Sequence, residues 1–246
     1  MTGQRSAPAP AAQDPAPAPG LVFEAVEGGY GSATVVRGLS GMAAPGEVLC
    51  VLGRNGVGKS TLMKLLLGYI PCLAGRVLLD GRPLDRLDPP ARRRRGITYC
   101  PQERPVFDDL SVRDNLTLMR HDRTLAAFAP YFARFPILER RLNQHAGTLS
   151  GGEKKILSIV RGLSEEERVV LLDEPSEGVQ WENILHMAEL IAERKAKGVA
   201  FIVVEQNLAF AERIADRYLV MDQGKSVLAG PRAEIGRDAI LAHLHV

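Results

Sequence analysis

At 246 residues the chain is long enough for one large domain with a substantial core, and its 46% apolar and 24% charged residues are ordinary for a globular protein. A net charge of +2 over 31 basic and 29 acidic residues argues against a dedicated nucleic-acid binder, which needs a basic face. Three cysteines without metal-ligand spacing fit a reducing, cytosolic setting, and no apolar run approaches the roughly 20 residues that cross a bilayer.

Residues 1–20 are rich in alanine and proline and lack the apolar stretch of a secretory signal. They read as a disordered, partly polyproline-like tail, with a start codon assigned too far upstream as the alternative. The fold is expected from Leu21, where LVFEAVEGGYG alternates like a strand and breaks at Gly28-Gly29. GEVLCVLG is a short apolar run between glycines, the pattern of a buried strand, and Cys50 within it reads as a small core residue. It leads into LGRNGVGKST, after which KSTLMKLLLGYI has helical apolar spacing. GRVLLDGRPL predicts a strand, an Asp80-Gly81 turn and a second short strand. The run from Arg92 to Arg95 reads as the solvated face of a helix.

From about Pro101 to Leu149 the pattern is helical, with several phenylalanines and no strand signal. A helix from Glu153 to Leu163, the strand RVVLLDEP, a helix, the strand AFIVVEQ, another helix and the hairpin RYLVMDQGKSVLAG follow. This alternation predicts an α/β fold: a mostly parallel sheet with a helical subdomain inserted over about residues 101–165.

Within the glycine-rich loop, Gly53, Gly56 and Gly58 let backbone N–H groups face an anion, beside the positive end of the following helix. Lys59 can reach the β- and γ-phosphates of a nucleotide, and the Ser60 hydroxyl suits Mg²⁺. Asn55 and Thr61 belong to the same nucleotide-binding stretch. VVLLDE ends a buried strand in two carboxylates: Asp173 suits Mg²⁺, and Glu174 suits a general base acting on water. LSGGE, with Ser150, Gly151, Gly152 and Glu153, opens a helix as a second anion site or as a plain N-cap. A second anion site is redundant in one chain and makes sense if two chains pair head-to-tail, each covering the other's nucleotide.

The phosphate loop, YCPQE, LSGGE, VVLLDEPSEG and VVEQN, in this order from about Leu21 onward, resemble the ATP-binding subunit of ABC transporters. The resemblance implies the phosphate-loop NTPase fold of ABC type with an antiparallel β edge, with ATP and Mg²⁺ as ligands. It makes Tyr30 the aromatic stacked on adenine, and Gln102 the residue that senses Mg²⁺ and the γ-phosphate and links to the helical subdomain. It also implies transmembrane permease subunits, a second ATP-binding subunit (the same chain or a paralogue), a periplasmic solute-binding protein and no nucleic acid. The chain would then sit peripherally on the cytoplasmic face of the inner membrane.

Three positions depart from the common pattern: Glu153 stands where Gln ends the signature, Gln180 replaces Asp, and Gln206 replaces the switch histidine. Together the motifs are similar to importers of branched-chain amino acids and of urea. Gln206 is expected beside Glu174, bonding the γ-phosphate or the attacking water; the alternative is an amide that caps the next helix. A soluble ABC ATPase is disfavoured: translation types usually carry two such domains in one chain, and repair types insert long coiled coils before the signature, whereas here about ninety residues without sustained heptads separate Lys59 from Leu149. A regulatory module that no longer hydrolyses ATP is disfavoured by the retention of Glu174.

Overall fold

A computed structural model describes residues 20–120, 122–164 and 167–244. The expected tail lies outside the described residues except for Gly20, which already belongs to the fold. Its N–H donates to Asp80 Oδ1 at 2.8 Å, and a Cβ there would meet the Ala43 carbonyl oxygen at 2.2 Å.

In chain order the first half contains β1 (Leu21–Tyr30), β2 (Ala33–Ala43), β3 (Val48–Leu52), α1 (Lys59–Leu67), β4 (Ala74–Leu79), β5 (Arg82–Pro83), α2 (Pro89–Arg94) and β6 (Ile97–Cys100). The helical block contributes α3 (Val112–Thr117), α4 (Ala129–Arg134), α5 (Pro136–Arg140) and α6 (Gly151–Leu163). The remainder is β7 (Val169–Asp173), α7 (Trp181–Ala196), β8 (Ala200–Glu205), α8 (Leu208–Ile214), β9 (Arg217–Asp222), β10 (Lys225–Pro231) and α9 (Arg237–Leu244).

Two sheets form. One is antiparallel, in the order β2-β1-β4-β5; the other runs β10-β9-β3-β8-β7-β6 and is parallel except for its β9–β10 hairpin edge. Short runs such as VLCVL and VVLLD, buried along their whole length, suit a parallel strand covered on both faces. Alternation along each strand then divides the interior in two. Val48, Cys50, Leu52, Val170, Leu172, Phe201 and Val203 face a core shared with α6, α7, α8 and the helical block. Leu49, Val51, Val169, Leu171, Ile202 and Val204 face the other core, with α1 and the antiparallel sheet. The sheet is the wall between these cores, and its rigidity comes from being packed on both sides.

Three elements lacked a sequence signal. β2 buries only Val36, Leu39 and Ala43 of its eleven residues, and bulges in its pairing with β1 break the two-residue period. β6 is four residues long, too short to show a period. In α9 only Ile240 is buried, so its apolar stripe is weak.

In the arginine run Arg94 and Arg95 are exposed as expected, but Arg92 is buried. Asp88 caps α2 by accepting from Ala91 N at 2.8 Å, and that start turns Arg92 inward, to 3% exposure. Its Nη1 donates to the carbonyl oxygens of Leu65 and Leu66 at 3.1 and 2.7 Å, Nη2 to Leu84 at 3.0 Å, and Nε to Leu87 at 3.0 Å. A guanidinium fork thus gives donors to two carbonyls in the last turn of α1, one of them also capped by Gly68 N, and complements that helix's dipole. Arg92→Met, which keeps the stem and removes the donors, is expected to lower unfolding stability by about 2 kcal/mol. Urea titration should show a lower midpoint at unchanged slope.

Candidate active site

β3, β8 and β7 lie side by side and parallel, with Leu52 opposite Glu205 and Val204 opposite Asp173. Their carboxyl ends therefore share one edge of the sheet, where open α/β sheets carry their ligands. The glycine-rich loop leaves β3, Asp173 and Glu174 end β7, and Glu205 and Gln206 end β8.

Gly56 and Gly58 take φ of 79° and 107°, a region costly for residues with a side chain, so the loop curls over the start of α1. Lys59 is 4% exposed, and its Nζ donates to the carbonyl oxygens of Gly53 at 2.8 Å and Arg54 at 3.0 Å. The same ammonium lies 3.4 Å from Glu174 Oε1. Asn55, Gly56, Gly58, Lys59, Ser60 and Thr61 line a hollow of about 250 Å³ with Gln102 and Glu174.

Asp173 Oδ2 accepts from the Tyr99 hydroxyl at 3.1 Å and Oδ1 from Ser60 Oγ at 3.5 Å. Burial raises this carboxyl above its ordinary range, and the two hydroxyl bonds pull it partly back. Glu174 sits at φ +48°, a left-handed conformation uncommon outside glycine. Its Oε2 accepts from Gln102 Nε2 and its Oε1 from Gln206 Nε2, each at 2.9 Å. Gln206 spends its other amide hydrogen on Asn55 Oδ1 at 2.6 Å, tying the end of β8 to the phosphate loop. Capping of α8 falls to Asn207, which accepts from Phe210 N at 3.2 Å. Gln206 therefore lies beside Glu174, not in a cap.

The LSGGE segment lies apart from the loop within this chain. Ser150 Oγ accepts from Glu153 N at 3.3 Å, while Glu153 Oε2 accepts from Ser150 N at 2.8 Å, a reciprocal capping box. The two glycines differ in purpose: a Cβ on Gly151 would meet open space, whereas one on Gly152 would meet the Gly178 carbonyl oxygen at 2.8 Å. The segment lines a cleft of about 710 Å³ with Gly178, Val179 and Gln180. Tyr30, half exposed, lines another of about 550 Å³ with Ser60, Tyr99, Gln102 and Asp173, and Lys64 Nζ stands 5.7 Å from its ring centre.

Sequence reasoning missed Tyr99, Lys155, Glu177 and Glu205. Glu205, 2% exposed, accepts from Ser176 N at 2.9 Å through Oε1, and from Gln206 N and Asn207 N at 3.0 and 3.1 Å through Oε2. It pins the turns after β7 and β8 together. Burial raises its carboxyl, and its bonds to Ser176 and to the peptide N–H groups of Asn207 and Gln206 oppose that. A charged residue closing an apolar run was its signal, the same one that marked Asp173.

Mg²⁺ suits this donor set. It takes few protein oxygens and the rest from phosphates and water, and Asp173, Ser60 and the Gln102 carbonyl oxygen are hard donors. Among the described residues no cluster of three or more His, Cys, Asp or Glu could hold a metal ion. When bound it would neutralise phosphate charge.

A lysine-bearing phosphate loop facing a buried Asp-Glu pair defines a nucleoside triphosphatase of the phosphate-loop class. A family model for ABC transporters matches residues 36–177. The high-affinity branched-chain amino acid transport ATP-binding protein BraG of Pseudomonas aeruginosa is 34% identical over 212 residues, covering 85% of this chain and 91% of its own. Nod factor export ATP-binding protein I of Burkholderia pseudomallei is 35% identical over 228 residues, 89% of this chain and 74% of its own. A solved ATP-binding subunit of an ABC transporter, 28% identical, superposes with a TM-score of 0.79 over 89% of this chain and 92% of that one. The chain belongs to the ABC transporter family, as one of its ATP-hydrolysing subunits.

The raised Asp173 carboxyl carries a stability consequence with a definite sign. Folding disfavours its ionised form, so the cost is absent at low pH, appears as pH rises past the ordinary carboxylate value, and levels off above the raised one. Asp173→Asn removes that cost and should raise the melting temperature at neutral pH, but not at pH below the ordinary carboxylate value, in magnesium-free, nucleotide-free buffer. The same variant should lose Mg²⁺-dependent turnover by about a hundredfold. Thermal melts and phosphate release measured side by side check both outcomes.

Proposed function

We propose that this chain is the motor of a binding-protein-dependent importer for branched-chain or other amino acids, or for urea-like amides. The observation that carries its chemistry is the Glu174 carboxylate, held between the amides of Gln102 and Gln206 at the mouth of the Lys59 loop. Glu174 takes the proton of a water attacking the γ-phosphorus, and ADP and phosphate leave. Lys59 and the loop N–H groups oppose the phosphate charge, Asp173, Ser60 and Gln102 hold Mg²⁺, and Tyr30 stacks on the adenine.

Ser150, Gly151, Gly152 and Glu153 serve the nucleotide of a second ATP-binding subunit, and the open space at Gly151 supports this. ATP closes the pair, hydrolysis reopens it, and permease subunits turn the motion into transport. In this reading the permeases hold the chain to the cytoplasmic face of the inner membrane; among the described residues no helix is long and apolar enough to cross a membrane.

The amino-acid reading is supported by the name of the BraG relative and by the VVEQN and DEPSEG segments. An export reading is favoured by the Nod factor relative, which is as similar. Reconstitution with co-purified permeases separates the two. Import predicts ATPase stimulation by leucine or urea only when a solute-binding protein is added; stimulation by a substrate on the ATPase side supports export.

Glu174→Gln is expected to bind ATP with turnover lowered by about 10²–10³-fold. Size-exclusion chromatography in MgATP should show a larger species than the wild type. Gln206→Ala should lower turnover with little change in ATP affinity. Gln206→His should stay active and gain a pH dependence between about 6 and 7.5, measurable as a kcat profile.

A further inference from the structure

Glu174 is strained, and strain of this kind persists only where neighbouring contacts over-determine it. Both peptide groups that flank it are tied. Its N–H donates to the Val204 carbonyl oxygen at 2.9 Å, and its own carbonyl oxygen accepts from Lys155 Nζ at 2.8 Å.

Lys155 lies in the second turn of α6, the helix opened by Ser150. Its side chain is 11% exposed, and its second bond runs to Glu177 Oε2 at 2.9 Å. Glu177 Oε2 also accepts from Gln102 Nε2 at 3.1 Å, the same amide that holds the Glu174 carboxylate. A ring results: the Glu174 backbone, Lys155, Glu177, Gln102 and back to the Glu174 side chain. The Glu177 carboxyl is held below its usual range, first by its bond from Lys155. Packing alone does not call for an ammonium here, because burying one is costly and an apolar side chain fills the same space.

We propose that Lys155 is a positioning residue for hydrolysis, joining the helix of the LSGGE segment to the backbone of the catalytic carboxylate in the same chain. The inference rests on Glu174 being the base. It has a directional consequence. The N-terminus of α6 serves the neighbouring subunit's nucleotide, so its position reaches this chain's own carboxylate through Lys155. A Cβ on Gly152 would meet the Gly178 carbonyl oxygen at 2.8 Å, so the first turn of α6 needs glycine to lie this close to the turn after β7.

Steady-state ATPase assays of the full chain with its permeases test this. Lys155→Met is expected to lower kcat about tenfold while KM for ATP stays within about twofold, with most of the rate recovered in Lys155→Arg. Glu177→Gln should lower kcat about threefold, and adding it to Lys155→Met should cost nothing more, because both act through one network. A Lys155→Met protein that melts as the wild type and keeps kcat within about twofold overturns the proposal, as do losses that multiply. If Lys155→Met does not fold, Glu177→Gln decides alone, since its carboxylate is 59% exposed: a lowered kcat at constant KM supports the proposal and an unchanged kcat overturns it. Glu174→Gln run in parallel separates the failures. Wild-type turnover there removes the base assignment itself; a slow Glu174→Gln beside an indifferent Lys155→Met removes only the role of Lys155.

Discussion

Three carboxylates buried at the ends of two neighbouring strands constrain everything around them. Asp173, Glu174 and Glu205 are 3, 4 and 2% exposed, and a carboxylate withdrawn from water is tolerable only with partners. Each finds a different kind. Hydroxyls from Tyr99 and Ser60 meet Asp173, amides and an ammonium meet Glu174, and peptide N–H groups meet Glu205. These partners come from the phosphate loop, the end of β6, and the turns after β7 and β8. Meeting the charge therefore fixes the relative positions of four segments far apart in the chain.

The arrangement also divides labour between stability and chemistry. Glu205 is saturated by backbone donors, so its charge is spent on holding two turns together. Asp173 has only two hydroxyl hydrogen bonds, from Tyr99 at 3.1 Å and Ser60 at 3.5 Å, which leaves its oxygens lone pairs for a hard cation.

Much of this was legible in the sequence because it was local. Strand, glycine loop and helix are contiguous, and an apolar run ending in Asp-Glu places its carboxylates at a strand end whatever surrounds it. The helical block between β6 and β7 showed itself through the loss of any strand period. What could not be read depends on contacts across the chain. Arg92 reads as part of a solvated run until α2 is docked on the end of α1, 26 residues away from Leu66. Nothing in the helix pattern from Glu153 to Leu163 singles out Lys155, whose bond to the Glu174 carbonyl oxygen exists only once α6 is docked beside the end of β7. β2 escaped because its bulges follow the twist of a partner strand, and a single sequence carries no mark of that.

The fork formed by Arg92 has a mechanical meaning. Helix α1 is nine residues, about 13 Å of rigid rod, with the phosphate loop at its head and the guanidinium bolted to its tail. Four hydrogen bonds from one side chain join that tail to α2 and to the segment around Leu84 and Leu87. The rod and its anchor therefore link the phosphate loop to α2, so a rigid-body shift of α1 would pull first on the helix that carries the exposed Arg94.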